Sequence, residues 1–292
     1  SYLIGNSLTW DTLPQRLDGD VQWHVDCGTS LPYIFANPDK PCVKESTLWP
    51  SALRAKAYDL VSVQPHYGST LPRDVETISE WMRLQPGAVF VVHSGWAYHA
   101  RLEEEFASFT APQEMVHSPG YIRALVRELR RLHPGRQIRQ TLAQNLLFQI
   151  SEDAAAGRAP LPGVRALYRD DIHLTHTHGR YLAHNAMRLA LGQPRSDAAF
   201  KDLEPDVKRY LDGVLALADT SPADKALICR ILGTADALER SRMTGQLSRP
   251  DLETKMRTML PQIDGLARAR SEALKLAGEV EALGGTVVWS PA

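Results

Sequence analysis

Two short stretches of this chain hold the residues best suited to chemistry: a serine just past a glycine, and a histidine three residues after an aspartate. Ser7 stands in Tyr2-Leu3-Ile4-Gly5-Asn6-Ser7-Leu8, and Asp170-Asp171-Ile172-His173 lies far downstream. A serine hydroxyl is a weak nucleophile until a base within hydrogen-bond reach takes its proton and a third group orients that base. An Asp three residues before a His supplies both from one loop. A second chemistry competes for the same histidine. His173, His176 and His178 form a His-x-x-His-x-His run beside Asp170 and Asp171, and imidazoles with carboxylates are ordinary zinc ligands. Against a metal, no second compact His/Asp/Glu cluster supplies the distant ligands that catalytic metal sites have.

The serine block and the Asp-x-x-His block together resemble the SGNH (GDSL-like) hydrolase family. There a GDS or GNS block after the first strand holds the nucleophile, and a late Asp-x-x-His block holds the rest of the triad. The resemblance spans about the first 195 residues. It implies Ser7 as nucleophile, His173 as general base and Asp170 as its orienting carboxylate, with no cofactor. It also implies an oxyanion hole built from the backbone N–H groups of Ser7 and Gly28 and a side-chain donor from Asn6 or Gln64. Gly28, in Val25-Asp26-Cys27-Gly28-Thr29, is in the right order for the family's oxyanion glycine. Where the family's third block reads Gly-x-Asn-Asp, this chain has Val63-Gln64-Pro65-His66, so Gln64 would offer the carboxamide on a longer arm. The activity implied is carboxylic ester hydrolysis. Two readings of other kinds stand beside it: a catalytically idle fold of this type serving as a binding or scaffold module, and a zinc-dependent hydrolase using the histidine cluster.

Nucleophile, base and oxyanion donors need a sheet edge to assemble on, and the first two thirds of the chain read as one. Short apolar runs at 2–4, 21–25, 59–64, 88–93 and 164–168 alternate with helical spacing, and 137–141 is a weaker, more polar strand signal. Ser118-Pro119 is an N-cap with proline at the first helical position; Ile122, Leu125, Val126, Leu129 and Leu132 line one face until Pro134-Gly135. Val75, Ile78, Trp81 and Met82 mark another amphipathic helix. Such alternation predicts an α/β fold, a mostly parallel sheet flanked by helices, of the flavodoxin-like kind under the resemblance. Segments that follow its strands emerge at the carboxyl edge, where ligands bind. That placement makes His66, Tyr67 and Trp96 candidate substrate contacts. Polar and aromatic groups there suit a sugar or other polar alcohol, hence O-deacetylation of a carbohydrate as the expected reaction. Packing of Trp96 in the interior is the alternative.

After Gly192-Gln193-Pro194-Arg195-Ser196 the pattern becomes helical until a β-rich run at 286–289. Phe200, Leu203, Val207, Tyr210, Val214 and Leu217 keep one register. Leu227, Ile228, Ile231 and Leu232 keep a second, and Leu252, Met256, Met259, Ile263 and Leu266 a third. Residues 196–292 therefore read as a helical appendage that caps the catalytic domain or mediates self-association, with its methionines as packing residues.

The remaining composition excludes more than it specifies. The 292 residues suffice for one α/β domain with an appendage. The 33 basic and 34 acidic side chains nearly cancel, leaving no global field for nucleic acid or an anionic membrane. No apolar run approaches the roughly 20 residues of a transmembrane helix. The chain begins on its first apolar run without Met, as a processed chain does, so its start does not fix a compartment. Three cysteines are too few for a disulfide framework. Cys27 and Cys42 bracket the loop beside Gly28; a bridge needs Cα atoms within about 7 Å and an oxidising compartment, and two reduced thiols are the alternative.

Overall fold

A computed structural model describes residues 1–108 and 114–218. The chain runs β1 (Tyr2–Gly5), α1 (Ser7–Asp11), β2 (Gln22–Val25), α2 (Leu31–Ala36), α3 (Trp49–Ala55), β3 (Leu60–Val63), α4 (Leu71–Leu84) and β4 (Val89–Val92). It continues through α5 (Leu102–Phe106), α6 (Pro119–Leu132), β5 (Ile138–Gln140), α7 (Ala143–Ala155), α8 (His178–Leu191) and α9 (Pro205–Ala218). All strand pairs are parallel and the strand order is β2-β1-β3-β4-β5. This is the doubly wound α/β architecture, with its switch point between β1 and β3. There the crossovers leave in opposite directions and open a crevice at the carboxyl edge.

Alternation along the strands divides the core. Tyr2, Ile4, Val61, Val63, Phe90 and Val92 pack with Leu53, Ile78, Trp81 and Leu125 of α3, α4 and α6. Leu3 and Val91 point the other way, onto Met187 and Leu191 of α8. Both faces are covered, which is why β1, β3 and β4 are apolar almost without interruption. β5 is an edge strand: Ile138 is buried while Arg139 and Gln140 face solvent.

The strand signal at 164–168 is overturned. Val164–Leu167 forms a single 3-10 turn, and the fifth strand is the polar 138–140 instead. Pro160, Pro162 and Gly163 interrupt the approach, and Leu167 and Tyr168 bury themselves among helices. Tyr168 keeps one β-type link, an antiparallel bridge to Leu174 across the Asp-x-x-His loop.

The boundary expected after residue 195 also falls too early. The compact unit runs from Ser1 to Ala218. Val207, Leu211, Val214 and Leu215 of α9 are buried against α7 and α8, each contributing roughly 1.5–3 kcal/mol of transfer free energy. Phe200 and Leu203 precede that helix, since Pro205 occupies its first position, and Phe200 packs edge-on against Tyr181. The stripes at 227–232 and 252–266 and the β-rich run at 286–289 lie outside the described residues. No helix among the described residues is long and apolar enough to cross a membrane.

Candidate active site

Ser7 owes its position to the way β1 ends. A Cβ on Gly5 would lie 2.1 Å from Thr9 Oγ1 and 2.8 Å from Gln64 Cβ, so only glycine lets the chain turn this tightly against β3. Asn6 then caps α1, its Oδ1 accepting from Leu8 N–H at 2.9 Å. Gln64 Oε1 accepts from Asn6 N–H at 3.1 Å and from the Thr9 hydroxyl at 3.3 Å. The turn is thereby tied to both flanking strands. Asn6 Nδ2 donates to Thr29 O at 3.1 Å, linking it to the loop that contains Gly28.

His173 reaches Ser7 across 166 residues of chain. His173 Nε2 lies 2.9 Å from Ser7 Oγ, and His173 Nδ1 lies 2.9 Å from Asp170 Oδ2 and 3.0 Å from Oδ1. Partial burial pushes the Asp170 carboxyl up, but the backbone N–H groups of His173 and Ile172 and the imidazole outweigh it and hold the pKa down to about 2. Asp170 therefore stays anionic, and an anion facing Nδ1 keeps the proton there and the lone pair of Nε2 toward Ser7.

Buried contacts clamp this loop. Asp11, at the end of α1 and 1% exposed, receives Leu174 N–H at 3.0 Å, Arg169 Nη1 at 3.1 Å and Arg180 Nε at 2.8 Å. One carboxylate thus joins the helix that begins with Ser7, the loop holding His173 and the first turn of α8. Trp96 Nε1 donates to Ile172 O at 2.6 Å. Neither residue was found by sequence reasoning as a support for the triad. The only signal for Asp11 is an acid one helical turn beyond Ser7 in an apolar context, and its partners lie more than 150 residues away.

The other expected site residues divide. Gly28 is exposed, sits at φ +70° with open space where a Cβ would stand, and its N–H has no partner among the described residues. Ser7 N–H, at the first helical position, is likewise unpaired among them. Both backbone N–H groups are thus left for an acceptor from outside the described residues. Asn6 keeps one amide N–H beyond its bond to Thr29. Gln64 is corrected: it is fully buried, its oxygen serves the turn and its Nε2 donates to Pro65 O at 2.7 Å. It braces the turn that carries Ser7. Trp96 is corrected too, since at 0% exposure it cannot stack on a sugar and instead anchors the triad loop.

Tyr67 lines the open edge, whereas His66 is buried with its Nδ1 3.3 Å from His117 Nε2. Tyr67 is partly buried, stacks on Tyr98 with centroids 5.6 Å apart, and donates its hydroxyl to the buried Glu105. With Gly68, Ser69, Arg101 and Glu114 it lines an open cavity of about 480 Å³. The zinc cluster does not assemble. His178 Nε2 accepts from Glu204 N–H at 3.0 Å, His173 faces Ser7, and His176 is exposed beside Arg180. Cys27 and Cys42 are bonded, with Cα atoms 5.6 Å apart.

No protein-family model matches the chain, and no curated protein does. Among solved structures it is similar to a DUF4886 family protein from Bacteroides uniformis ATCC 8492, with 20% identity and a TM-score of 0.49, over 75% of this chain and 95% of that one.

Proposed function

We propose that this chain is a serine-dependent carboxylic ester hydrolase of the SGNH (GDSL-like) type. The observation that carries the reading is the continuous relay Asp170–His173–Ser7, two bonds of 2.9 Å, at the sheet's switch point. Ser7 Oγ attacks the ester carbonyl while His173 Nε2 takes its proton, and Asp170 stabilises the imidazolium that forms. The carbonyl oxygen, now an oxyanion, meets the N–H groups of Ser7 and Gly28; one such donor is typically worth about 2.7–4 kcal/mol in the transition state. The imidazolium gives its proton to the departing alcohol oxygen. Water, deprotonated by the same imidazole, then hydrolyses the acyl-serine.

A polar alcohol such as a carbohydrate fits the edge better than a long alkyl chain, on the strength of Tyr67 with Ser69, Arg101 and Glu114 around the open cavity, now that Trp96 is removed from it. A fluorophosphonate probe should label Ser7, and Ser7→Ala should abolish both labelling and turnover of short-chain aryl and carbohydrate acetates. Exhaustive chelation should leave turnover intact. Labelling at a different serine, or hydrolysis that survives Ser7→Ala, would overturn the reading.

A further inference from the structure

The loop after β2 is held from two sides. On one side it is tied to the turn that carries Ser7: Asp26 N–H donates to Gly5 O at 3.0 Å, Asn6 Nδ2 donates to Thr29 O at 3.1 Å, and Gly5 pairs with Val25 in the parallel register of β1 and β2. On the other side, residues 42–47 run along the outer edge of β2. Cys42 N–H donates to Val25 O at 3.0 Å, Ser46 Oγ accepts from Val25 N–H at 3.1 Å, and Thr47 N–H donates to Trp23 O at 2.8 Å. Those bonds act on residues 23–26 and 29. Between them stand Cys27 and Gly28, and there the hold is Cys42, whose sulfur is bonded to that of Cys27 and also accepts Cys27 N–H at 2.9 Å. Glycine visits many backbone conformations at little cost. The direction of Gly28 N–H, at φ +70°, is therefore set by what clamps its neighbours.

Both cysteines are exposed, so a thiolate from solution can reach the bridge. It attacks Cys27 Sγ, the S–S bond breaks, and the electron pair leaves on Cys42 Sγ, where Cys27 N–H stabilises the new thiolate before it takes a proton. The reductant's second thiol, as its thiolate, then displaces Cys27 from the mixed disulfide, and Cys27 takes a proton in turn. Two electrons and two protons pass to the protein, which gains two thiols, while the dithiol becomes a disulfide. The bonds at residues 23–26 and 29 survive this exchange. The clamp beside Gly28 does not.

We propose that Cys27–Cys42 is a redox control site: a dithiol reductant that opens it releases Gly28 N–H from its place at the oxyanion, and turnover falls until a disulfide oxidant re-forms the bridge. The inference rests on the ester-hydrolase reading and adds to it a modification site and the class of reagent that acts there. Ser7, Asp170 and His173 lie outside the clamped loop, so nucleophile and base persist in the reduced chain. What is lost is a donor used in the transition state, and such a loss falls on kcat more than on KM.

The test incubates the full chain with dithiothreitol in the absence of denaturant, maps the opened cysteines by alkylation and peptide analysis, and reoxidises an equal sample with oxidised glutathione. Removing an oxyanion donor outright typically costs about 10²–10³ in kcat, so one that only loses its clamp should cost about tenfold, with KM for a short-chain aryl acetate held within about twofold. Reoxidation should restore kcat. The chain carrying Cys27→Ser and Cys42→Ser together should match the reduced chain and ignore the dithiol. Circular dichroism at the assay temperature should show the reduced chain still folded. Unchanged kcat in a chain mapped as reduced, full kcat in the double variant, a bridge that resists the dithiol, a loss that reoxidation does not reverse, or unfolding on reduction overturns the inference and leaves the hydrolase reading standing. If the oxidised chain hydrolyses no ester, that reading fails, and the inference with it.

Discussion

Asp170 is half-exposed and still held in its charged form, because two backbone N–H groups and an imidazole converge on it. Removing its charge while keeping its shape isolates what it does for His173. Asp170→Asn should lower kcat by on the order of 10²–10⁴-fold, since a neutral amide no longer specifies which nitrogen of His173 carries the proton. Its thermal midpoint should stay close to the unaltered chain's, as the amide oxygen can still accept both backbone bonds. Full kcat in this variant would show that His173 is oriented by something else. At this scale the sequence was readable where the chemistry is local: Gly-Asn-Ser fixes a turn, and Asp-x-x-His fixes a carboxylate under an imidazole. It was not readable where function depends on which way a side chain faces. Gln64 and Trp96 have the right types for a donor and a sugar platform, yet both are drawn inward by unpaired backbone groups, Asn6 N–H in one case and Ile172 O in the other. The contact of the buried His117 Nδ1 with Ser94 O, a carbonyl of the β4–α5 connection, lies further still from the sequence.

Among the elements, α1 is the one whose displacement would separate nucleophile from base, and Asp11 is what ties it down. Its carboxylate is buried between Arg169 and Arg180, so removing the charge leaves two guanidinium groups short of a partner in a poorly hydrated place. Asp11→Asn should destabilise the fold by about 3–5 kcal/mol, the usual cost of breaking a buried pair from one side. In whatever fraction stays folded, fluorophosphonate labelling of Ser7 should slow, because Leu174 N–H and the loop behind His173 lose their anchor. A urea midpoint and a labelling rate equal to those of the unaltered chain would dismiss Asp11 as a support. Element types followed the pattern wherever burial is two-sided or strictly amphipathic: β1, β3 and β4, and helices α4 and α6. Errors fell where a short apolar run had two ways to be buried. Residues 164–168 satisfy their apolar groups against helices, whereas 138–140, weakly apolar, pairs with β4 because an edge strand needs only one buried face.

For the molecule as a whole, the near-zero net charge conceals a strong dependence on acid. His24, His66, His93 and His117 are buried in the compact unit, and burial lowers them from 6.5 to about 4, 3, 4 and 4 respectively. Each is neutral in the fold and regains its ordinary value when the chain opens. Below pH 6.5 the unfolded state therefore binds more protons than the folded one, and the linkage makes stability rise with pH across that interval. Their contribution is complete above about pH 6.5 and is lost progressively as pH falls toward 4. A tenfold difference in proton affinity between the folded and open chain is worth about 1.4 kcal/mol. All four histidines shift in the same direction, so their effects on the pH dependence add. Asp74 works in the opposite direction. Burial raises it to about 6 despite the Tyr121 hydroxyl at 2.7 Å, so it costs stability as pH rises from about 4 to 6, but one carboxyl does not offset four imidazoles. The Cys27–Cys42 bridge does not alter this balance, because it restrains the open chain without changing which groups titrate. Urea midpoints measured from pH 7.5 down to 4.5 should hold steady to about 6.5 and then fall steeply, with uptake of several protons per molecule on unfolding near pH 5. A midpoint that stays level through pH 5 would mean that the imidazoles are hydrated in solution, and the closed core around the site would have to be redrawn.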